Sequence, residues 1–233
     1  MYGTITPYAL ATRQATTRAP VVLDICTAAD FAADPRLVPT ALRMAHCDVT
    51  RAWLPAGSQG REIVVICQKG AKLSLGAAAR LHGEGCTALV LAGGVQGWHA
   101  ASLPSIPVTA LPDSGLWVVA PGPEAAFALW LLIRFAPPGQ VLLIADPAQL
   151  EAIGEKFIAQ PIRSGSALLA RLVLATPTLS ALAAACTTAP AHPLAFAALL
   201  AKSSRDPRAG APDAPALALL DAALATLRLN GTL

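Results

Sequence analysis

Short apolar runs alternate with helical patterns through the first hundred residues. Val21-Val22-Leu23-Asp24-Ile25 has the length and β-branched content of a buried strand, and Glu62-Ile63-Val64-Val65-Ile66 and Ala88-Leu89-Val90-Leu91 repeat that signature. Between the last two, Leu75, Ala78, Ala79 and Leu81 recur near helical spacing, which predicts a helix over 74–84. Ser74 is placed to cap its start, and Gly83 and Gly85 mark its end. Strand, helix, strand at this pitch reads as a βαβ unit, and so as an α/β domain with a parallel sheet flanked by helices.

Three prolines and a closing glycine over 103–115 have the composition of a boundary. We therefore divide the chain into residues 1–110 and 111–233. In the second part, Leu116-Trp117-Val118-Val119 and 140–144 read as strands, and Pro123 opens a helix to Phe135. The rest, with helical patterns near 166–175, 178–187, 192–201 and 215–228 and an exposed loop over 203–215, makes this a smaller, mainly helical domain. The apolar face of the 123–135 helix suggests an interdomain or dimer contact, hence homo-oligomerisation through the helical domain.

Composition narrows the class. Of 233 residues, 55% are hydrophobic and 13% charged, which excludes an intrinsically disordered chain. The best candidate for a membrane span, 125–135, is short and contains Arg134, whereas a span needs roughly 18 or more apolar residues. The first seven residues have no basic region feeding an apolar core, so no secretory signal is expected and a cytoplasmic location with no membrane partner follows. The net charge of +3 is too small for a dedicated nucleic-acid binder. Its excess lies in the first half, with nine Lys/Arg against six Asp/Glu in residues 1–110 and eight of each thereafter.

The five cysteines form no CxxC or Cys/His pairing, and His46, His82, His99 and His192 are scattered, so neither a zinc site nor a disulfide framework is signalled. Gly93-Gly94-Val95-Gln96-Gly97 is not G-x-G-x-x-G and reads as a turn ahead of a helix, so no cofactor is expected. Trp98 reads as core packing.

The chemistry concentrates at Ile66-Cys67-Gln68-Lys69-Gly70-Ala71-Lys72-Leu73-Ser74. A cysteine directly after a buried strand is followed by a short glycine-bearing loop and a helix N-terminus. There, consecutive backbone N–H groups can turn inward as an anion cradle, and the helix dipole adds positive potential. Lys69 and Lys72 add two charges beside the thiol. These features favour thiolate, which makes Cys67 a candidate nucleophile and Gln68, Lys69, Gly70, Ala71, Lys72 and Leu73 the candidate binding loop. The alternative role is that of a buried cysteine ending a core strand. Cys26 ends the first strand at the same sheet edge and is a candidate resolving thiol; a small core-filler is the commoner role there.

These motifs resemble the rhodanese superfamily over most of residues 5–105. Val22-Leu23-Asp24-Ile25-Cys26 followed by Asp30-Phe31 is similar to its first strand and acidic-aromatic helix motif. Cys67 to Lys72 is similar to its six-residue active-site loop with glycine fourth, and Gly93-Gly94-Val95-Gln96-Gly97-Trp98 with Leu103-Pro104 to its closing motif. The resemblance implies a sulfurtransferase: the loop cysteine takes sulfur as a persulfide from a small anionic donor and passes it to a thiol or cyanide. Lysine in the loop's third place, here Lys69, implies thiosulfate. Phosphatases of this fold have a longer loop ending in arginine six places after the cysteine, where this chain has Leu73. Two departures stand out. Cys26 replaces an arginine that partners the acidic position Asp30, and 34–42 lacks the family's histidine.

Residues 113–233 resemble the C-terminal region of chromate-resistance proteins through Trp117-Val118-Val119 and Trp130-Leu131-Leu132-Ile133-Arg134-Phe135. The charged residues that region carries between these segments are absent from 120–129. A non-enzymatic sensor or adaptor in redox or oxyanion stress, with the first domain as a binding module, is the competing expectation.

Overall fold

In the computed structural model the residues described are 3–14, 19–55, 58–120, 125–137, 140–144 and 146–174. The chain divides into two compact units, Met1–Val108 and Thr109–Leu233.

The first unit runs β1 (Gly3–Ile5), α1 (Pro7–Gln14), β2 (Val21–Asp24), α2 (Ala28–Ala33), β3 (Arg36–Leu37), β4 (Ala41–Arg43), β5 (Ile63–Ile66), α3 (Lys72–Gly83), β6 (Ala88–Leu91), α4 (Gly94–Ala100) and β7 (Ile106–Pro107). Five strands form a parallel sheet in the order β1-β6-β5-β2-β4. Both β2 and β5 are buried along their whole length, as expected where helices cover both faces of a parallel sheet. Val21, Leu23, Ile63, Val65 and Val90 pack with Ala77, Ala78 and Leu81 of α3, so only Ala78 and Leu81 of the predicted face meet the sheet, while Leu75 is 41% exposed and Ala77 takes its place.

The βαβ expectation holds, with one correction. Helix α3 begins at Lys72 with Ala71 as its cap residue, two residues before the predicted start. Ser74 therefore lies in the first turn and caps nothing, because its hydroxyl is already engaged by Cys67 and by the Ala71 carbonyl. The short β3 and β7, paired antiparallel, and the β4 edge strand were not legible in the apolar pattern. Through β7, part of the proline-rich boundary segment belongs to the first unit's structure.

The second unit contains β8 (Leu116–Val119), α5 (Ala125–Arg134), β9 (Gln140–Leu143), α6 (Leu150–Phe157), β10 (Gln160–Ile162) and α7 (Gly165–Arg171). Its strands form a parallel sheet in the order β10-β8-β9. The sequence anticipated β8, β9, α5 and α7, but not α6 or β10. The helices expected near 178–187, 192–201 and 215–228 lie outside the described residues. Phe127, Ala128, Leu129, Trp130, Leu131 and Leu132 of α5 are all buried in the chain, with α7 and β8 as neighbours. Trp130 stacks on Phe127 at 5.9 Å and meets Phe135 edge-on at 5.5 Å. Among the described residues no helix is long and apolar enough to cross a membrane.

Candidate active site

Adjacent parallel strands β2 and β5 are in register with Asp24 opposite Ile66, and the Ile25 N–H donates to the Ile66 carbonyl at 2.8 Å. Cys26 and Cys67 thus emerge at the same carboxyl edge of the sheet, where open α/β sheets place their ligand sites.

From Ile66 the chain turns through the loop into α3. Two contacts give the loop its shape. The Cys67 carbonyl accepts the Val95 N–H and the Gln68 carbonyl accepts the Gln96 N–H, both at 3.1 Å, so the start of α4 ties off the loop's first carbonyls. This approach is possible because Gly70 and Gly94 have no side chains. A Cβ on Gly70 would lie 2.4 Å from the Leu91 oxygen, and both glycines have positive φ. The Gly-Gly pair that sequence reading treated as a turn is therefore also a backbone-to-backbone clamp on the cysteine loop.

With those carbonyls engaged, the following amides converge on sulfur. The Ala71 N–H donates to Cys67 Sγ at 3.4 Å, and Ser74 Oγ lies 3.1 Å from it. Cys67 is 4% exposed. Its burial raises the thiol pKa, but the Ser74 hydroxyl and the backbone N–H groups of Ala71, Ser74 and Lys69 outweigh this and hold it below the usual thiol range. The sequence assigns the hold on the thiolate to loop amides and the helix dipole together with the Lys69 and Lys72 charges. Both lysines are exposed, as is Ala71, while Gln68, Gly70 and Leu73 are half-buried. The Ser74 hydroxyl, which the sequence places at the helix cap, is the contact with sulfur that the sequence did not anticipate.

Cys26 has the opposite environment. Burial, then the Asp24 carboxylate and its hydrogen bond, push its thiol far above the usual range. Asp24, 2% exposed, accepts the Cys26 N–H at 2.8 Å. That disfavours the thiolate a resolving cysteine must offer.

A guanidinium from another strand lies beside position 26. Arg43, at the end of β4, lies 3.7 Å over the Phe31 ring, donates to the Cys26 carbonyl at 3.3 Å and sits 4.0 Å from Asp24. Asp30 is not left unpartnered: it accepts the Thr27 hydroxyl at 2.8 Å, and Thr27 in turn caps α2 by accepting the Asp30 N–H. The 34–42 segment is secured by Arg36, whose two hydrogen bonds to Asp34 measure 2.6 and 2.8 Å, and by His99, whose Nδ1 lies 3.3 Å from Asp34. Trp98 is core, as read, with its Nε1 donating to the Pro104 carbonyl at 2.9 Å. Among the described residues no group of three or more His, Cys, Asp or Glu side chains is placed to hold a metal ion.

No curated protein matches the chain. Among solved structures, it is similar to a rhodanese-related protein from Thermoplasma volcanium at 20% identity and a TM-score of 0.38, over 45% of this chain and 98% of that one. It is similar to a thiosulfate sulfurtransferase from Pseudomonas aeruginosa at 27% identity and a TM-score of 0.39, over 46% of this chain and 20% of that one. A full-length protein from Lactobacillus plantarum is 28% identical over 45% of this chain and 88% of that one, with a TM-score of 0.39. The family described as Rhodanese-like domain matches residues 6–101, which span α1 to α4 and include the whole Cys67 loop. Residues 6–101 of this chain are a rhodanese-like domain.

Proposed function

We propose that this domain is a sulfurtransferase that moves sulfane sulfur from thiosulfate, or a similar anionic donor, to a thiophilic acceptor through a persulfide on Cys67. The observation that supports this most directly is the convergence of the Ser74 hydroxyl and loop amides on Sγ, which holds the thiol below its usual range.

The thiolate attacks the outer sulfur of the donor, a new S–S bond forms, and sulfite departs with the electron pair of the bond it breaks. The acceptor, a thiolate or cyanide, then attacks the outer sulfur of the persulfide and returns Cys67 to its anion. Loop N–H groups at the start of the 12-residue helix α3 stabilise the negative charge in both halves. Exposed Lys69 and Lys72 draw the anionic donor to the loop.

The near-complete burial of Cys67 favours one competing reading, in which no donor reaches the sulfur and the domain serves as a redox or oxyanion-stress binding module. Thiosulfate:cyanide turnover, with mass analysis of the thiosulfate-treated protein, separates the two. Sulfur transfer requires turnover, the gain of one sulfur atom on the Cys67 peptide, and loss of both in Cys67→Ala. Full turnover in Cys67→Ala would refute the assignment, and a wild type that takes up no sulfur would favour the binding module.

A further inference from the structure

Ser74 Oγ is completely buried and stands between two acceptors, Cys67 Sγ at 3.1 Å and the Ala71 carbonyl oxygen at 3.0 Å. A hydroxyl has one proton and can donate it to only one of them. When Cys67 is a thiol, its S–H donates to Oγ and the hydroxyl donates onward to Ala71. A thiolate has no proton to give, so the hydroxyl must turn to Sγ. That turn leaves no orphan, because the Ala71 carbonyl also accepts the Leu75 N–H at 3.0 Å. The exchange surrenders a neutral hydrogen bond and gains a charge-assisted one, which is about twice as strong. The loop amides near Sγ are fixed by the backbone, whereas the hydroxyl can rotate.

We propose that Ser74 is a second catalytic residue of this site, a rotor whose hydroxyl donates to Ala71 while Sγ is neutral and to Sγ whenever it is an anion. Its place in the cycle rests on the sulfur-transfer reading. In the first half, the Sγ electron pair forms the bond to the donor's outer sulfur as sulfite leaves. Sγ becomes neutral and the hydroxyl returns to Ala71. In the second half, the acceptor bonds to the outer sulfur, the S–S bond breaks, and Sγ leaves with the electron pair. Ser74 donates into that growing charge, so its largest effect falls on persulfide discharge.

The test compares full-length wild type with Ser74→Ala and Ser74→Thr. One readout is the pH dependence of iodoacetamide alkylation, followed on the Cys67 peptide; the other is single-turnover discharge of the persulfide by cyanide. In Ser74→Ala the alkylation curve should move about one unit to higher pH, lowering the rate at pH 7 about tenfold while the alkaline plateau stays put. Discharge should slow by a similar factor, and Ser74→Thr should restore both. If the alanine variant does not fold, Ser74→Cys, with a weaker donor of similar shape, should show a smaller shift in the same direction. An alkylation curve that coincides with wild type in the folded variant overturns the assignment. If that happens while wild type turns over, the Ser74 role alone fails. If the curve shifts but wild type takes up no sulfur, the sulfur-transfer reading fails and the hold of Ser74 on the thiolate stands.

Discussion

A methyl group on Gly94 would lie 2.1 Å from the carbonyl oxygen of Cys67. The nucleophile's own peptide unit is thus in backbone contact with a glycine 27 positions later in the chain. The contact orients the loop, because a carbonyl pulled out toward α4 leaves the amides after it free to face sulfur.

Gly94→Ala should therefore damage fold and site together. The clash and the positive φ of 59° should cost about 2–3 kcal/mol, read as a lower urea midpoint. Alkylation of Cys67 at neutral pH should slow as well. Gly76, inside α3 with open space around its Cβ position, is the control: Gly76→Ala should stabilise by about 0.5–1 kcal/mol. Equal effects at the two glycines would contradict the clamp.

Lys69→Ala should raise KM for thiosulfate about three- to tenfold with a smaller change in kcat, since a solvent-exposed charge attracts the donor more than it stabilises the reacting sulfur. The difference from wild type should shrink as salt rises. A loss confined to kcat would put the ammonium at the reacting atoms instead.

Stability should decline on acidification in two stages. Burial, reinforced by the Arg36 charge and opposed by Asp34, holds His99 below the ordinary histidine range. The folded state resists its protonation while the unfolded chain does not, so stability present above the ordinary histidine pKa drains away below it, between about pH 7 and 5. Hydrogen bonds from Arg36 hold Asp34 below the ordinary carboxylate range, against a smaller effect of burial. Its contribution is intact above the unfolded value and disappears only below about pH 4. Unfolding free energies measured in urea across this range should show His99→Gln flattening the upper stage alone. A variant profile as steep as wild type there would rule His99 out.

Cys26 should behave as a core residue. With its thiol pushed far up, alkylation in the native protein should be much slower than at Cys67, and Cys26→Ser should keep turnover close to wild type. Mild peroxide should leave no 26–67 linkage on peptide mass mapping. Finding that linkage would restore the resolving role.

What was legible in the chain was whatever depends on local order. Val21–Asp24, Ile63–Ile66 and Ala88–Leu91 announce themselves as strands because a strand covered by helices on both faces is mostly apolar, and Cys67 announces the candidate site because strand, cysteine and glycine loop are consecutive. Contacts between segments distant in sequence leave no such trace. That Arg43 reaches the Phe31 ring and the Cys26 carbonyl, that Gly94 shapes the Cys67 loop, and that Ser74 meets sulfur instead of capping α3 were settled by which backbones the parallel sheet brings side by side. A side chain's hydrogen bonds go to whatever acceptor folding places within about 3 Å, and spacing along the chain does not record that distance.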